Sequence, residues 1–102
     1  MTRVLAIYNQ PADPAKFDAY YYSTHIPLAR KIPGLRGIRL SKEKPVSIAG
    51  MAPYLVAELD FDSMAAFQAA MDTPEGQATA ADVGNYAQAG VTLVAYECKE
   101  DK

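Results

Sequence analysis

One cysteine, Cys98, and one histidine, His25, are all that this 102-residue chain holds of either type. A single thiol excludes an intrachain disulfide and any cysteine-based metal cluster. Its place in a strand-like run near the C-terminus suits an inert, half-buried thiol better than a nucleophile. A single imidazole excludes paired-histidine zinc motifs such as "HExxH", and neither a glycine-rich phosphate loop nor a "GxSxG" elbow is present. Charge of one sign is lacking too: ten basic against twelve acidic side chains leave a net charge of −2. With no block of like charge there is no basic face for a phosphate backbone, and the basic–aromatic signature of sheet-borne RNA recognition is missing. The apolar runs are strand-sized, too short to span a bilayer. The start "MTRVLAIYNQ" has one early arginine and a short apolar run without a cleavage-like small-residue site. It reads as a strand rather than a signal peptide, so a cytoplasmic protein with no membrane partner is expected.

What is present reads as one domain over 1–102. "RVLAIYN" (3–9) is strand-like and ends at the turn cluster "NQPADP". Asp13 before Pro14 pairs an N-cap with a proline at the first helical position. Phe17, Tyr20, Tyr21, Thr24 and Leu28 then recur at helical spacing and define one buried stripe. Pro33 and Gly34 end the segment. A strand over 35–42, a loop over 43–53 and a strand over 54–61 follow. Asp62 or Ser63 caps a second helix with Met64, Phe67 and Met71 on one face; Thr73 and Pro74 open a short further helix. The last strand covers 90–98. The order β-α-β-β-α-β, with helices where crossover connections belong, predicts an α+β, ferredoxin-like fold with a four-stranded antiparallel sheet.

Two helices cover one face of such a sheet. On the third strand Leu55, Ala57, Leu59 and Phe61 form a fully apolar row that suits the helix side, opposite Tyr54, Val56, Glu58 and Asp60. The first strand offers either Val4, Ala6 and Tyr8 or Leu5 and Ile7 to the second face, and both sets are apolar. The last strand opposes Val91, Leu93 and Ala95 to Thr92, Val94 and Tyr96. A water-facing sheet alternates more cleanly, and a contiguous apolar face is unusual on a monomer. The pattern predicts a homodimer joined through the open faces.

His25 lies in "YYYSTHIPLARKIPGLR" (20–36). On an α-helical projection it falls at the rim of the apolar stripe. Pro27 is expected to break or bend the helix and Ile26 to leave helical angles. The imidazole would then stand at a helix end, where the dipole favours its protonated form. A lone histidine there serves equally well as a hydrogen-bonded group closing the helix. Glu58 is the carboxylate most apt to face a cavity between the sheets, since Asp60 lies near the strand's end.

The blocks "FDAYYYSTHIPLARKIPGLR" (17–36), "ELDFDSMAAFQAAMDTPEG" (58–76) and "ADVGNYA" (81–87), with the final strand ending at Glu97, resemble the EthD family, named for ethyl tert-butyl ether degradation. The resemblance implies a dimeric α+β barrel and a pocket-facing role for the histidine matching His25. Proteins of that fold include cofactor-independent isomerases, polyketide cyclases and monooxygenases, and haem-binding enzymes. The expectation is a small-molecule pocket protein without a tightly bound cofactor, acting on a hydrophobic or aromatic compound. His25 would be its general acid/base, and Tyr21, Tyr8 and Tyr54, with Glu58, would orient the ligand. A non-catalytic binding or accessory protein needs the same pocket. Haem binding would have His25 as its one axial histidine.

Overall fold

The computed structural model describes residues 1–102. Four strands, β1 (Thr2–Tyr8), β2 (Gly37–Leu40), β3 (Leu55–Phe61) and β4 (Val91–Glu97), form one sheet in the order β2-β3-β1-β4. All neighbours are antiparallel, with Ala6 opposite both Ala57 and Leu93. This is the ferredoxin-like arrangement that the order of elements predicts, since each crossover returns the chain parallel to its previous strand with one strand left between. A continuous helical run links β1 to β2. It comprises α1 (Pro14–Tyr20), a π turn (Tyr21–His25) and α2 (Ile26–Ala29). Two helices, α3 (Met64–Met71) and α4 (Pro74–Asp82), link β3 to β4, and a 3₁₀ turn (Val83–Asn85) extends α4. No helix is long and apolar enough to cross a membrane.

The caps are those the sequence offers. Asp13, Ser63 and Thr73 each accept a hydrogen bond from the backbone N–H three residues on, which satisfies donors that a helix start leaves free. Of the two candidates for α3, Ser63 is the one used. Gly34, at φ +79°, makes the left-handed turn after the first helical run, where a side chain would be strained.

Two expectations for that run fail, and for one reason. Thr24 is exposed and His25 is buried, because the N–H of Ile26 donates to the carbonyl of Tyr21, five residues back rather than four. The wider turn inserts one residue and rotates everything after it, so the imidazole enters the buried stripe in place of Thr24. Pro27 does not break the helix. It sits in the first turn of α2 directly after the π turn, whose wider winding keeps its ring clear of the carbonyls one turn back, and Ile26 keeps helical angles of φ −61° and ψ −42°.

The helix-facing side of the sheet carries Thr2, Val4, Ala6 and Tyr8 of β1 beside Leu55, Ala57, Leu59 and Phe61 of β3. Register thus decides between the two β1 sets. Tyr8, Tyr21 and Phe61 are among the most completely buried side chains, each contributing on the order of 1.5–3 kcal/mol of hydrophobic stabilisation. Leu93 of β4 points to the same side but is 54% exposed. The helix layer therefore covers β4 only in part, and a hollow remains beneath it.

Candidate functional site

The hollow is a cavity of about 350 Å³ between sheet and helices. Its floor includes Val4, Ala6, Ala57 and Leu59; Ile26, Ala29, Met71 and Val83 contribute to its roof, and Leu93, Val94 and Ala95 line the β4 side. Eighteen of its twenty-one lining residues are hydrophobic and none is Lys, Arg, Asp or Glu. Gly76 shapes the roof. A Cβ there would lie 2.1 Å from the carbonyl oxygen of Ala70, so only glycine lets α3 and α4 approach this closely.

His25 is the one titratable group in this wall apart from Tyr8 and Tyr21. It is 6% exposed, and its Nδ1 lies 3.0 Å from Oδ2 of Asp82. The other oxygen, Oδ1, accepts from the hydroxyl of Tyr20 at 2.5 Å and from Nδ2 of Asn85 at 3.0 Å. The imidazole stacks on Tyr21 with ring centroids 5.5 Å apart, and the Tyr86 ring lies at 4.6 Å. Behind it the hydroxyls of Tyr8 and Tyr86 are 2.6 Å apart. No buried side-chain nitrogen or oxygen lacks a partner. Nε2 of His25, which bonds to nothing in the chain, is therefore accessible, and the ring that carries it lines the cavity.

Burial pushes the His25 pKa below 6.5, opposed by the Asp82 carboxylate. This reverses the expectation of a dipole-stabilised imidazolium: desolvation outweighs it because the π turn puts the ring inside the wall. Burial pushes the Asp82 carboxyl upward, but donors from Tyr20, Asn85 and His25 overcome it and hold the group below the usual carboxylate range. Burial raises Tyr21 and Tyr86 well above an ordinary phenol. At neutral pH the pair is therefore a carboxylate and a neutral ring. A carboxylate only accepts, so the ring proton is on Nδ1 and Nε2 carries a lone pair.

Of the residues expected from sequence, Tyr8, Tyr21 and His25 come together at this cavity, whereas Tyr54 and Glu58 do not line it. Tyr54 precedes β3 at a bend that turns it to the helix side. There it packs edge-on against Phe17 at 5.4 Å, and its hydroxyl donates to Asp18 at 2.9 Å. Glu58 lies on the opposite face of the sheet, within 3.4 Å of Arg3 and of Arg39. The cavity also differs in place from the inter-sheet hollow expected, because the helices arch over the sheet instead of packing flush on it.

Asp82 and Tyr86 carry this site, and sequence reasoning misses both. A signal exists: Asp82 ends a helix, where an anion is disfavoured by the dipole, so a buried acid there implies a partner. No group of three or more His, Cys, Asp or Glu side chains is placed to hold a metal ion.

Likeness to known proteins extends from sequence to fold. The chain is 46% identical over 96 residues to an uncharacterized 11.0 kDa protein in the thcB-thcC intergenic region of Rhodococcus erythropolis, covering 92% of this chain and 91% of that one. An ethyl tert-butyl ether degradation (EthD) family protein of Bacillus halodurans superposes with a TM-score of 0.87 at 36% identity, covering 97% of this chain and 99% of that one. The fold alone is shared with a dimeric ferredoxin-like protein of unknown function from Thermobifida fusca (TM-score 0.68, 17% identity, 95% and 90% covered). The same holds for SnoaB, a cofactor-independent oxygenase from Streptomyces nogalater (TM-score 0.61, 18% identity, 98% and 93% covered). Residues 9–90 match the EthD domain, and the chain belongs to the EthD family.

Proposed function

We propose that the protein encloses a small apolar molecule in this cavity and acts on it by proton transfer through His25, with no cofactor taking part in the step. The observation that carries the reading is the buried Nδ1···Oδ2 contact of 3.0 Å between His25 and Asp82 in an otherwise apolar wall. Nε2 takes a proton from an acidic C–H or O–H of the bound molecule, and the imidazolium so formed is stabilised by the Asp82 carboxylate. Returning that proton to a different atom completes an isomerisation or enolisation without oxidant or reductant. Tyr8 and Tyr21 shape the pocket and Asp82 is a positioning residue. A fold relative described as a cofactor-independent oxygenase is compatible with such chemistry, through the fold only.

Deuterium uptake tests this. β-Tetralone, a bicyclic ketone with an acidic C–H, is incubated in deuterium oxide with the protein and with His25→Gln. The expected result is wash-in accelerated about 10²–10³-fold over buffer by the native protein and lost in the variant while binding persists. Equal wash-in for both proteins would leave a ligand carrier.

A homodimer through the open sheet face belongs to the same reading. Leu5, Ile7, Val56, Val94 and Tyr96 share that face, and the molecule is a slab 36 × 35 × 19 Å. Its broad side is comparable to the roughly 800 Å² per partner of a standard interface. Ile48, 100% exposed, lies with Val46 and Met51 in the 43–53 loop, further apolar surface that a second copy would cover. Sedimentation equilibrium is expected to return twice the chain mass at micromolar concentration, and a monomer there would remove the dimer.

A further inference from the structure

The atoms left unsatisfied at the cavity wall specify the polar group of the ligand. Among the lining side chains, the Thr79 hydroxyl donates to the carbonyl of Glu75 at 2.9 Å, within its own helix. The Tyr8 hydroxyl is engaged with that of Tyr86, and the Tyr21 hydroxyl is turned to the Tyr8 hydroxyl as well. On His25 the Nδ1–H is directed at Asp82, whose second oxygen already accepts two further donors. Moving the ring proton to Nε2 would set the Nδ1 lone pair against a carboxylate, so the tautomer is locked. The side-chain nitrogen left without a partner in this wall is Nε2, an acceptor in that tautomer.

Charge narrows the ligand further. No Lys or Arg lines the cavity, and the Asp82 carboxylate stands behind the ring. A carboxylate or phosphate on the ligand would be desolvated without a counter-ion and repelled by Asp82. Volume gives the size. An apolar cavity of about 150 Å³ accepts one benzene ring, and this one is about 350 Å³, room for two rings.

We infer that the cavity selects an uncharged, two-ring-sized apolar molecule whose single polar group is a phenolic or enolic hydroxyl that donates to Nε2 of His25. The inference rests on the cavity being the ligand site, but not on catalysis there. A site holding an unpaired acceptor discriminates sharply against a ligand that cannot donate, because the acceptor is then buried unmet.

Three probes of the same bicyclic frame test it at neutral pH by fluorescence titration: β-naphthol, β-methoxynaphthalene and β-naphthoate. β-Naphthol is expected to bind at least tenfold more tightly than the methyl ether, and at least tenfold more tightly than the carboxylate. In His25→Leu the naphthol-to-ether ratio falls to about one while the ether still binds, a readout that general loss of structure would not produce. Should that variant fail to fold, the three affinities of the native protein decide alone. Equal binding of naphthol and ether, preference for the naphthoate, or no binding of β-naphthol at millimolar concentration would each overturn the inference. If the naphthol preference holds but β-tetralone, at concentrations that saturate the cavity, takes up no deuterium, only the proton-transfer reading falls. If deuterium uptake occurs while naphthol and ether bind alike, only the ligand class falls.

Discussion

Replacing Asp82 by Asn removes one charge and almost no volume, and the geometry around the ring dictates the response. Oδ1 can keep its two donors, the Tyr20 hydroxyl and Asn85 Nδ2. The new amide nitrogen then faces His25 Nδ1 at the present 3.0 Å, donor against donor. The conflict is relieved when the imidazole moves its proton to Nε2 and accepts at Nδ1. A charge-assisted hydrogen bond of about 1.5–3 kcal/mol becomes a neutral one of about 0.5–1.5 kcal/mol, so the net loss is on the order of 1 kcal/mol. For a domain of this size that lowers Tm by about 4–8 °C. The larger consequence is chemical: the cavity wall changes from acceptor to donor. With one histidine in the chain, ¹⁵N-detected NMR reads the tautomer without assignment. The expected spectrum has Nδ1 protonated in the native protein and Nε2 protonated in Asp82→Asn. The His25 pKa should fall further, because the influence opposing burial is gone. The preference for β-naphthol over its methyl ether should also be lost. An unchanged tautomer, or a pKa that rises, would refute the reasoning that Asp82 sets the proton on the ring.

Three further outcomes are expected. Because the folded-state pKa of His25 lies below 6.5, the unfolded chain takes up its proton first as pH falls. Its contribution to stability is full above pH 6.5 and is lost on descending toward the depressed value; thermal melts across that window should show the slope, and His25→Gln should flatten it. Gly76→Ala sets a Cβ against the backbone of Ala70 and Met71, with distances of 2.1–2.9 Å. Overpacking of about 1–3 kcal/mol outweighs the gain of under about 1 kcal/mol from helix propensity, so denaturant melts should show a less stable protein that binds cavity probes more weakly; a stabilised variant would contradict the close helix crossing. Leu5→Glu places like charges on the open sheet face, and sedimentation should give a monomer with an intact circular dichroism spectrum; an undisturbed dimer would move the interface elsewhere.

Topology is legible in the chain itself because it rests on local chemistry. Strand-sized apolar runs, Asp13, Asp62 or Ser63, and Thr73 as caps, and Pro14 and Pro74 just inside their helices mark the elements, and their order leaves few ways to close a sheet. The apolar row Leu55, Ala57, Leu59 and Phe61 identifies the covered face for the same reason, since period two is built into any extended strand. The family resemblance, carried by "HIPL" and its flanks, points to His25 without saying what holds it.

The site itself needs tertiary structure. A π turn is a one-residue misfit that helical periodicity cannot anticipate, and it alone carries His25 into the wall and Thr24 out to solvent. Asp82 meets His25 across fifty-seven residues of chain, a pairing that no spacing rule encodes. The hollow exists because α3 and α4, pressed together at Gly76, leave β4 partly uncovered. Local sequence determines which segments fold and which faces are apolar; where their packing leaves a gap, and which lone pair looks into it, is decided only when the layers meet.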